Sequence, residues 1–149
     1  MEAVYAKDDQ GAYQTLKINI EKDSETVFNL LSTTEGVQKW FPQLSFEERI
    51  VGGKMTFHMD EQDDVEMEIT AFEDNIAIGY TWSTGAVRFD LYDSGSETVL
   101  ILDEFLPFDF PHIILDFSGW QFQIQSIKSV AETGRSLDQS EYDFNSVKE

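Results

Sequence analysis

Residues 111–134, PHIILDFSGWQFQIQSIKSVAETG, are the stretch that determines how this chain folds. Apolar side chains recur there in steps of three and four residues, and most positions between them are Gln, Ser, Lys or Glu. The apolar positions are Phe117, Trp120, Ile124, Ile127 and Ala131. Pro111 suits the first turn of a helix and Gly134 suits its end. The pattern predicts one long amphipathic helix that packs against a flat apolar surface.

The preceding part of the chain supplies that surface, because its apolar residues recur with a period of two. Six strands joined by short polar connections are expected, which is typical of an antiparallel meander. They cover Leu44–Val51, Lys54–Met59, Val65–Ala71, Ile76–Trp82, Val87–Tyr92 and Thr98–Phe105. Gly52-Gly53 predicts a tight turn between the first two of them.

One further strand and two short helices are predicted ahead of the meander. Tyr13–Ile20 alternates, with Leu16, Ile18 and Ile20 on one side and Gln14, Lys17 and Asn19 mostly on the other. Asp23 or Ser24 can cap a first helix, and Thr34 can cap a second that ends before Pro42. The fold class is therefore α+β in two layers, in a single domain spanning residues 1–149. We expect order from about 12 to 134 and loose polar ends on both sides.

The composition of the chain excludes several classes of function. Its 149 residues contain 29 Asp and Glu against 10 Lys and Arg, a net charge of −19, and no Cys. Such a charge repels nucleic acids, and the lack of Cys excludes disulfides and thiolate chemistry. No apolar run approaches the roughly 20 residues of a membrane span, and the first ten residues lack the pattern of a signal peptide. We therefore expect a cytoplasmic acidic protein.

Four local motifs carry a family resemblance. They are VFNLLSTTEGVQKWFP at 27–42, GGKMTF at 52–57, YTW at 80–82 before RFDL at 88–91, and SGW at 118–120. In this order they resemble the START/birch-pollen-allergen superfamily, also called SRPBCC or helix-grip proteins. Within it, they look most like stand-alone bacterial-type members of the branch related to the activator of heat-shock protein 90 ATPase. The resemblance covers residues 13–133 and implies a curved antiparallel sheet wrapped around the C-terminal helix.

The resemblance also implies a cavity between the sheet and that helix, which in similar proteins binds apolar small molecules. Bulky aromatic and Met side chains suit such a cavity because they adapt to flexible ligands. An ordinary core filled by the same side chains is the alternative, and both interpretations stay open. The candidate ligand-binding residues are Trp40, Phe57, Met59, Met67, Ile69, Tyr80, Trp82, Phe89, Leu91, Leu102, Glu104, Trp120 and Ile124.

Glu104 is the one candidate for a functional polar group in the cavity besides the Tyr80 hydroxyl. It points inward if Leu100 and Leu102 do, because strand side chains repeat every second residue. The run VLIL at 99–102 is apolar on both faces, so a Glu104 that faces solvent is the alternative. No catalytic companion of this carboxylate is visible in the sequence.

No other chemistry is indicated by the motifs. His58 and His112 are expected to be exposed and without partners, and the acidic run at 60–64 is expected to be solvated. Neither a nucleophile motif nor a metal-ligand spacing is present, so no cofactor and no metal are expected. Arg88 and Asp90 are expected to form a surface ion pair.

Three functions remain compatible with these observations. The first is a non-catalytic domain that binds a small hydrophobic ligand between the sheet and the C-terminal helix. The second is a protein-interaction module that modulates a chaperone ATPase through its surface, although the full co-chaperone has an additional N-terminal domain that is not expected here. The third is a cavity-based cyclase or hydrolase that uses Glu104 as general acid or base.

Overall fold

An antiparallel sheet of eight strands forms one layer of the molecule. The structure, a computed structural model, describes residues 1–138. The strands are β1 (Glu2–Lys7), β2 (Gly11–Ile20), β3 (Leu44–Phe46), β4 (Lys54–Phe57), β5 (Val65–Glu73), β6 (Ala77–Trp82), β7 (Gly85–Asp93) and β8 (Thr98–Pro107). They lie in the order β1-β2-β8-β7-β6-β5-β4-β3. The long strands β2 and β8 are therefore neighbours, and their register sets Gln14 opposite Glu104.

Three helices complete the fold: α1 (Ser24–Ser32), α2 (Thr34–Val37) and α3 (Ile113–Thr133). Asp23 caps α1 by accepting the backbone N–H of Thr26 at 3.1 Å. Gly134 ends α3 in a left-handed conformation with φ 81°, and its N–H donates to the carbonyl of Val130. A curved sheet against one long C-terminal helix is the predicted α+β helix-grip fold, which is confirmed.

Aromatic side chains occupy the centre of the space between the sheet and α3. Trp120 is only 2% exposed, and its ring centroid lies 5.0 Å from that of Trp82 and 6.4 Å from that of Trp40. Phe89 on β7 packs against the same ring at 6.0 Å. The indole N–H of Trp40 donates to the carbonyl of Leu30, so burial leaves it satisfied. The middle of this layer is thus a packed core.

Several predicted boundaries differ from the structure. The first eleven residues do not stay loose, since Glu2–Lys7 form the edge strand β1 against β2. The connecting turn depends on Asp8, whose Oδ1 accepts the backbone N–H groups of Gln10 and Gly11. Gly11 is needed there because a Cβ would lie 2.3 Å from the carbonyl oxygen of Leu106.

Two smaller differences concern the middle of the chain. The strand predicted over Leu44–Val51 ends at Phe46, and the cap of α2 is Thr33, whose hydroxyl accepts the N–H of Gly36. Part of the prediction of a loose C-terminus falls on residues 139–149, outside the described residues. Within residues 1–138, no helix is long and apolar enough to cross a membrane.

Candidate functional site

An open pocket of about 230 Å³ lies where β4, β5 and β6 meet the first turn of α3. We call it the Trp82 pocket. Its lining is Phe57, Met59, Val65, Met67, Trp82, Ser83, Phe110 and Asp116. Four of the predicted ligand-binding residues therefore meet in one place, namely Phe57, Met59, Met67 and Trp82. Their approach follows from the alternation in β4 and β5, which turns Phe57 and Met67 toward α3.

The other predicted ligand-binding residues lie elsewhere. Trp40 borders a separate recess with Lys39 and Gln43, and Leu91 borders a cleft beside the start of α1. The remaining ones belong to the buried core; they are Ile69, Tyr80, Phe89, Leu102, Glu104, Trp120 and Ile124. Burial raises the pKa of the Tyr80 phenol well above its usual range, so this hydroxyl stays protonated.

Glu104 points inward from β8 and is 1% exposed, so the inward alternative is the one that the structure adopts. The side-chain Nε2 of Gln14, directly across on β2, donates to Glu104 Oε1 at 3.2 Å. Burial, followed by the neighbouring Asp116 carboxyl, raises the pKa of Glu104 well above its usual range. Burial and the facing carboxyl therefore favour the protonated form of Glu104.

Asp116, in the first turn of α3, is the companion of Glu104 that the sequence did not reveal. Its Oδ1 accepts the indole N–H of Trp82 at 3.3 Å. The other oxygen, Oδ2, is buried, as is Glu104 Oε2, and neither accepts a hydrogen bond from another donor within residues 1–138. A protonated Glu104 can donate to the facing Asp116 carboxylate, and this hydrogen bond would satisfy both oxygens. We assign this proton to Glu104, because its pKa is the one that burial raises.

Glu104 also belongs to a continuous series of buried polar groups. Gln121 Nε2 donates to Gln14 Oε1 at 3.0 Å and also reaches the hydroxyl of Tyr5. Gln14 Nε2 additionally donates to the carbonyl of Phe117 at 3.1 Å. Hydrogen bonds thus connect Tyr5, Gln121, Gln14 and Glu104 in order. The carboxyl of Glu104 faces that of Asp116, which accepts the Trp82 N–H. We call this series the polar chain.

The polar chain ends at a second pocket, of about 290 Å³, on the other side of α3. We call it the Tyr5 pocket. Its lining is Tyr5, Ala6, Lys7, Ala12, Phe108, Ile113, Ile114 and Phe117. The ring of Tyr5 stacks on that of Phe117 with centroids 6.1 Å apart. Residues of β1, which the sequence did not predict as a strand, therefore form one wall of this pocket.

Three members of the polar chain were missed, although the sequence held a signal for each. Gln14 was assigned to the outer side of its strand, but it has the same parity as Leu16 and Ile18 and is 0% exposed. Gln121 follows Phe117 by four residues and therefore lies on the buried face of α3. Asp116 precedes Trp120 by four residues and therefore lies on the same face of α3 as Trp120.

His58 is exposed as predicted, but the prediction that it has no partner is wrong. Its Nε2 lies 2.8 Å from Ser45 Oγ, and its Nδ1 lies 3.0 Å from Asp64 Oδ2. Asp64 therefore has a side-chain partner, His58, and is not simply surrounded by solvent. This group is on the outer face of the sheet, opposite in strand phase to Phe57 and Met59. The His58 side chain therefore points away from the Trp82 pocket.

The remaining surface predictions concern charged side chains and metals. Arg88 and Asp90 form the expected exposed ion pair at 3.1 Å. His112 is exposed and immediately precedes α3. In the part of the chain that the structure describes, no three His, Asp or Glu side chains are grouped so that they could hold a metal ion.

The sheet, the long C-terminal helix and the pocket between them define a protein of the helix-grip class. Within this class, residues 22–132 match the model of the family described as Activator of Hsp90 ATPase homolog 1-like protein. The chain belongs to this family. No curated protein matches the sequence.

Solved structures agree with this assignment. A conserved protein of unknown function from Enterococcus faecalis is 27% identical, with a TM-score of 0.88 over 96% of this chain and 84% of that one. A protein from Staphylococcus saprophyticus is 25% identical, with a TM-score of 0.68 over 83% and 93% of the two chains. The Aha1 dimer from Colwellia psychrerythraea shares the fold at 17% identity, with a TM-score of 0.71 over 82% and 97%.

Proposed function

We propose that this protein is a non-catalytic domain that binds a small apolar molecule in the Trp82 pocket. The proposal rests on one observation: Met and aromatic side chains line a single pocket together with one charged side chain, Asp116. Ligand pockets are usually apolar with a few polar groups that orient the ligand. Met59 and Met67 are flexible, so the walls can adapt to ligands of different shape.

The position of the pocket modifies the expectation from the family resemblance. Trp120 and its aromatic neighbours fill the middle of the layer, which leaves room for a ligand at the first turn of α3. Glu104 does not line the Trp82 pocket, because Asp116 separates them. This arrangement favours binding over a cyclase or hydrolase that uses Glu104.

The test uses the four methionines of the chain as reporters. Met59 and Met67 line the pocket, whereas Met55 is fully buried in the core and Met1 lies beside Gln125. Methyl NMR of methionine-labelled protein is recorded while neutral 2-phenylethanol is added. Binding in the pocket is expected to shift the Met59 and Met67 signals saturably and to leave Met1 unchanged.

A matched pair of variants locates the binding. Val65→Trp adds a ring to the wall of the pocket, and Ile76→Trp adds the same ring at an exposed site outside it. The first variant should abolish the shifts, and the second should retain them. Equal loss in both variants, or no saturable shift in the wild type, contradicts the proposal.

The family assignment supports a second candidate, a surface interaction that modulates a chaperone ATPase. A net charge of −19 would favour a basic patch on the partner and speed association at low salt. The test is the ATPase rate of the 90-kDa heat-shock chaperone with and without this protein, at two salt concentrations. Unchanged rates at both would exclude this candidate. A cytoplasmic location is proposed for either function.

A further inference from the structure

We propose that the Trp82 pocket selects a ligand in which a cationic amine is joined to an apolar body. The inference rests on the proposed function, since it concerns the chemistry of the molecule that this pocket binds. It starts from the one charged side chain in the lining, Asp116.

Asp116 accepts one neutral donor, and within the described residues no cationic side chain is paired with it. The Trp82 N–H donates to its Oδ1 at 3.3 Å, and its buried Oδ2 faces the carboxyl of Glu104. Within residues 1–138, no Lys, Arg or His forms an ion pair with Asp116, and none lines the pocket. A partly buried carboxylate without a counter-charge is unfavourable, and a cation placed next to it removes that cost.

The walls of the pocket favour the same ligand. The rings of Phe57 and Trp82 lie 5.7 Å apart at the pocket, and aromatic faces attract cations. The net charge of −19 also raises the local concentration of cationic molecules near the protein. A ligand with a carboxylate would meet Asp116 as a like charge and is disfavoured.

The experiment compares three molecules that share one aromatic ring. They are 2-phenylethylamine as the cation, 2-phenylethanol as the neutral analogue and phenylacetate as the anion. Dissociation constants are taken from the Met59 and Met67 methyl shifts in the intact chain. The amine should bind roughly tenfold more tightly than the alcohol, because hydrogen bonds to a charged partner are about twice as strong as neutral ones. Phenylacetate should bind most weakly.

Asp116→Asn removes the charge and keeps an oxygen for the Trp82 N–H. The preference for the amine should fall to within about threefold of the alcohol, as expected for a neutral site. A second variant covers the case in which Asp116→Asn does not fold. Val65→Lys places a cation at the partly exposed wall of the pocket and should reverse the order of amine and carboxylate.

The outcomes separate the two proposals. If the alcohol shifts the Met59 and Met67 signals with the same affinity as the amine, the inference about the amine is wrong. The proposal that the pocket binds an apolar molecule is then still supported. If the amine keeps its preference in Asp116→Asn, another group recognises it and the inference is again wrong. If none of the three molecules shifts these two signals, binding in the pocket itself is refuted.

Discussion

The Trp82 pocket and the Tyr5 pocket, both beside the first turns of α3, are alike in size and unlike in charge. The Trp82 pocket has about 230 Å³ and the Tyr5 pocket about 290 Å³, and both have mainly apolar walls. The one charged residue in the first lining is Asp116, and in the second it is Lys7. Each of these two linings thus contains one charged side chain, of opposite sign, and we expect that side chain to decide which ligands the pocket favours.

The polar chain between the pockets explains why they are separate sites. Gln14 and Glu104 face each other across β2 and β8, and Gln121 and Asp116 approach them from α3. The four side chains fill the space under the first half of the helix with hydrogen-bonded groups. A ligand that crossed from one pocket to the other would have to break these bonds in a buried environment, which is costly. Each pocket can therefore be altered without the other.

The largest expected effect comes from removing the Trp120 side chain from the centre of the packed aromatic core. Trp120→Ala should lower the free energy of unfolding by about 3–5 kcal/mol, because it deletes a fully buried ring. Urea unfolding followed by circular dichroism measures the change. Leu115→Ala on the same helix is the control, since Leu115 is 59% exposed and should change stability by less than about 0.5 kcal/mol. Similar losses in both variants would mean that the aromatic core is not the main support of α3.

Breaking the polar chain at Gln14 should have the next largest effect. Gln14→Leu removes the hydrogen bonds of the Gln14 side chain to Glu104 Oε1, Phe117 O and Gln121 Nε2. We expect a loss of about 1–3 kcal/mol, the usual cost of unsatisfied buried polar groups. Lys17→Leu on the exposed side of β2 is the matched control. Equal stability of the two variants would show that the chain contributes nothing to stability.

Local patterns in the sequence predicted most of the fold but only half of the site. The period of two in the meander and the Gly134 signal depend on neighbouring residues, and they predicted the strands from Lys54 onward and the end of α3. Pro111 lies two residues before α3 begins at Ile113, so its placement in the first turn was wrong. β1 was missed because all its residues are exposed, which removes the alternation that marks a strand. Gln14 was predicted on the outer face of the strand because its side chain is polar. Its position two residues before Leu16 places it on the inner face.

The contact between Glu104 and Asp116 could not be predicted for a different reason. Each residue carried the correct signal for its own element, since Glu104 follows Leu102 by two and Asp116 precedes Trp120 by four. Whether two inward-facing groups meet depends on the position of α3 over β8, which is determined by side-chain packing across the whole layer. The Trp82 pocket depends on the same placement, and its apolar half was predicted while its charged floor was not.

The raised pKa of Glu104 predicts how stability varies with pH. Because the pKa of Glu104 is raised in the native state, that state binds more protons than the unfolded chain at pH values above the usual glutamate pKa of 4.5. The stabilisation is complete below that pH and is lost as the pH rises through the native pKa. Relative to Glu104→Gln, which cannot ionise, the wild type should therefore lose stability as the pH rises.

Urea unfolding of both proteins at a series of pH values measures this difference. For one proton, the slope cannot exceed about 1.4 kcal/mol per pH unit. Glu68→Gln makes the same substitution at an exposed site and controls for the change in net charge. A constant difference between wild type and Glu104→Gln would mean that Glu104 ionises equally in both states, and the assignment of the proton to it would be withdrawn.

The smallest expected effect concerns the Tyr5 pocket, where Lys7 should favour the opposite kind of ligand. Phenylacetate is expected to shift the methyl signals of Ile113 and Ile114, which line this pocket, more strongly than 2-phenylethylamine does. Lys7 is exposed, so its ion pair with the ligand is worth roughly 0.5 kcal/mol, and Lys7→Gln should weaken phenylacetate about twofold. Asp116→Asn should leave these shifts unchanged, because the polar chain separates the two pockets. If Asp116→Asn and Lys7→Gln instead affect both pockets equally, ligand preference follows the net charge of −19 rather than the side chain in each lining.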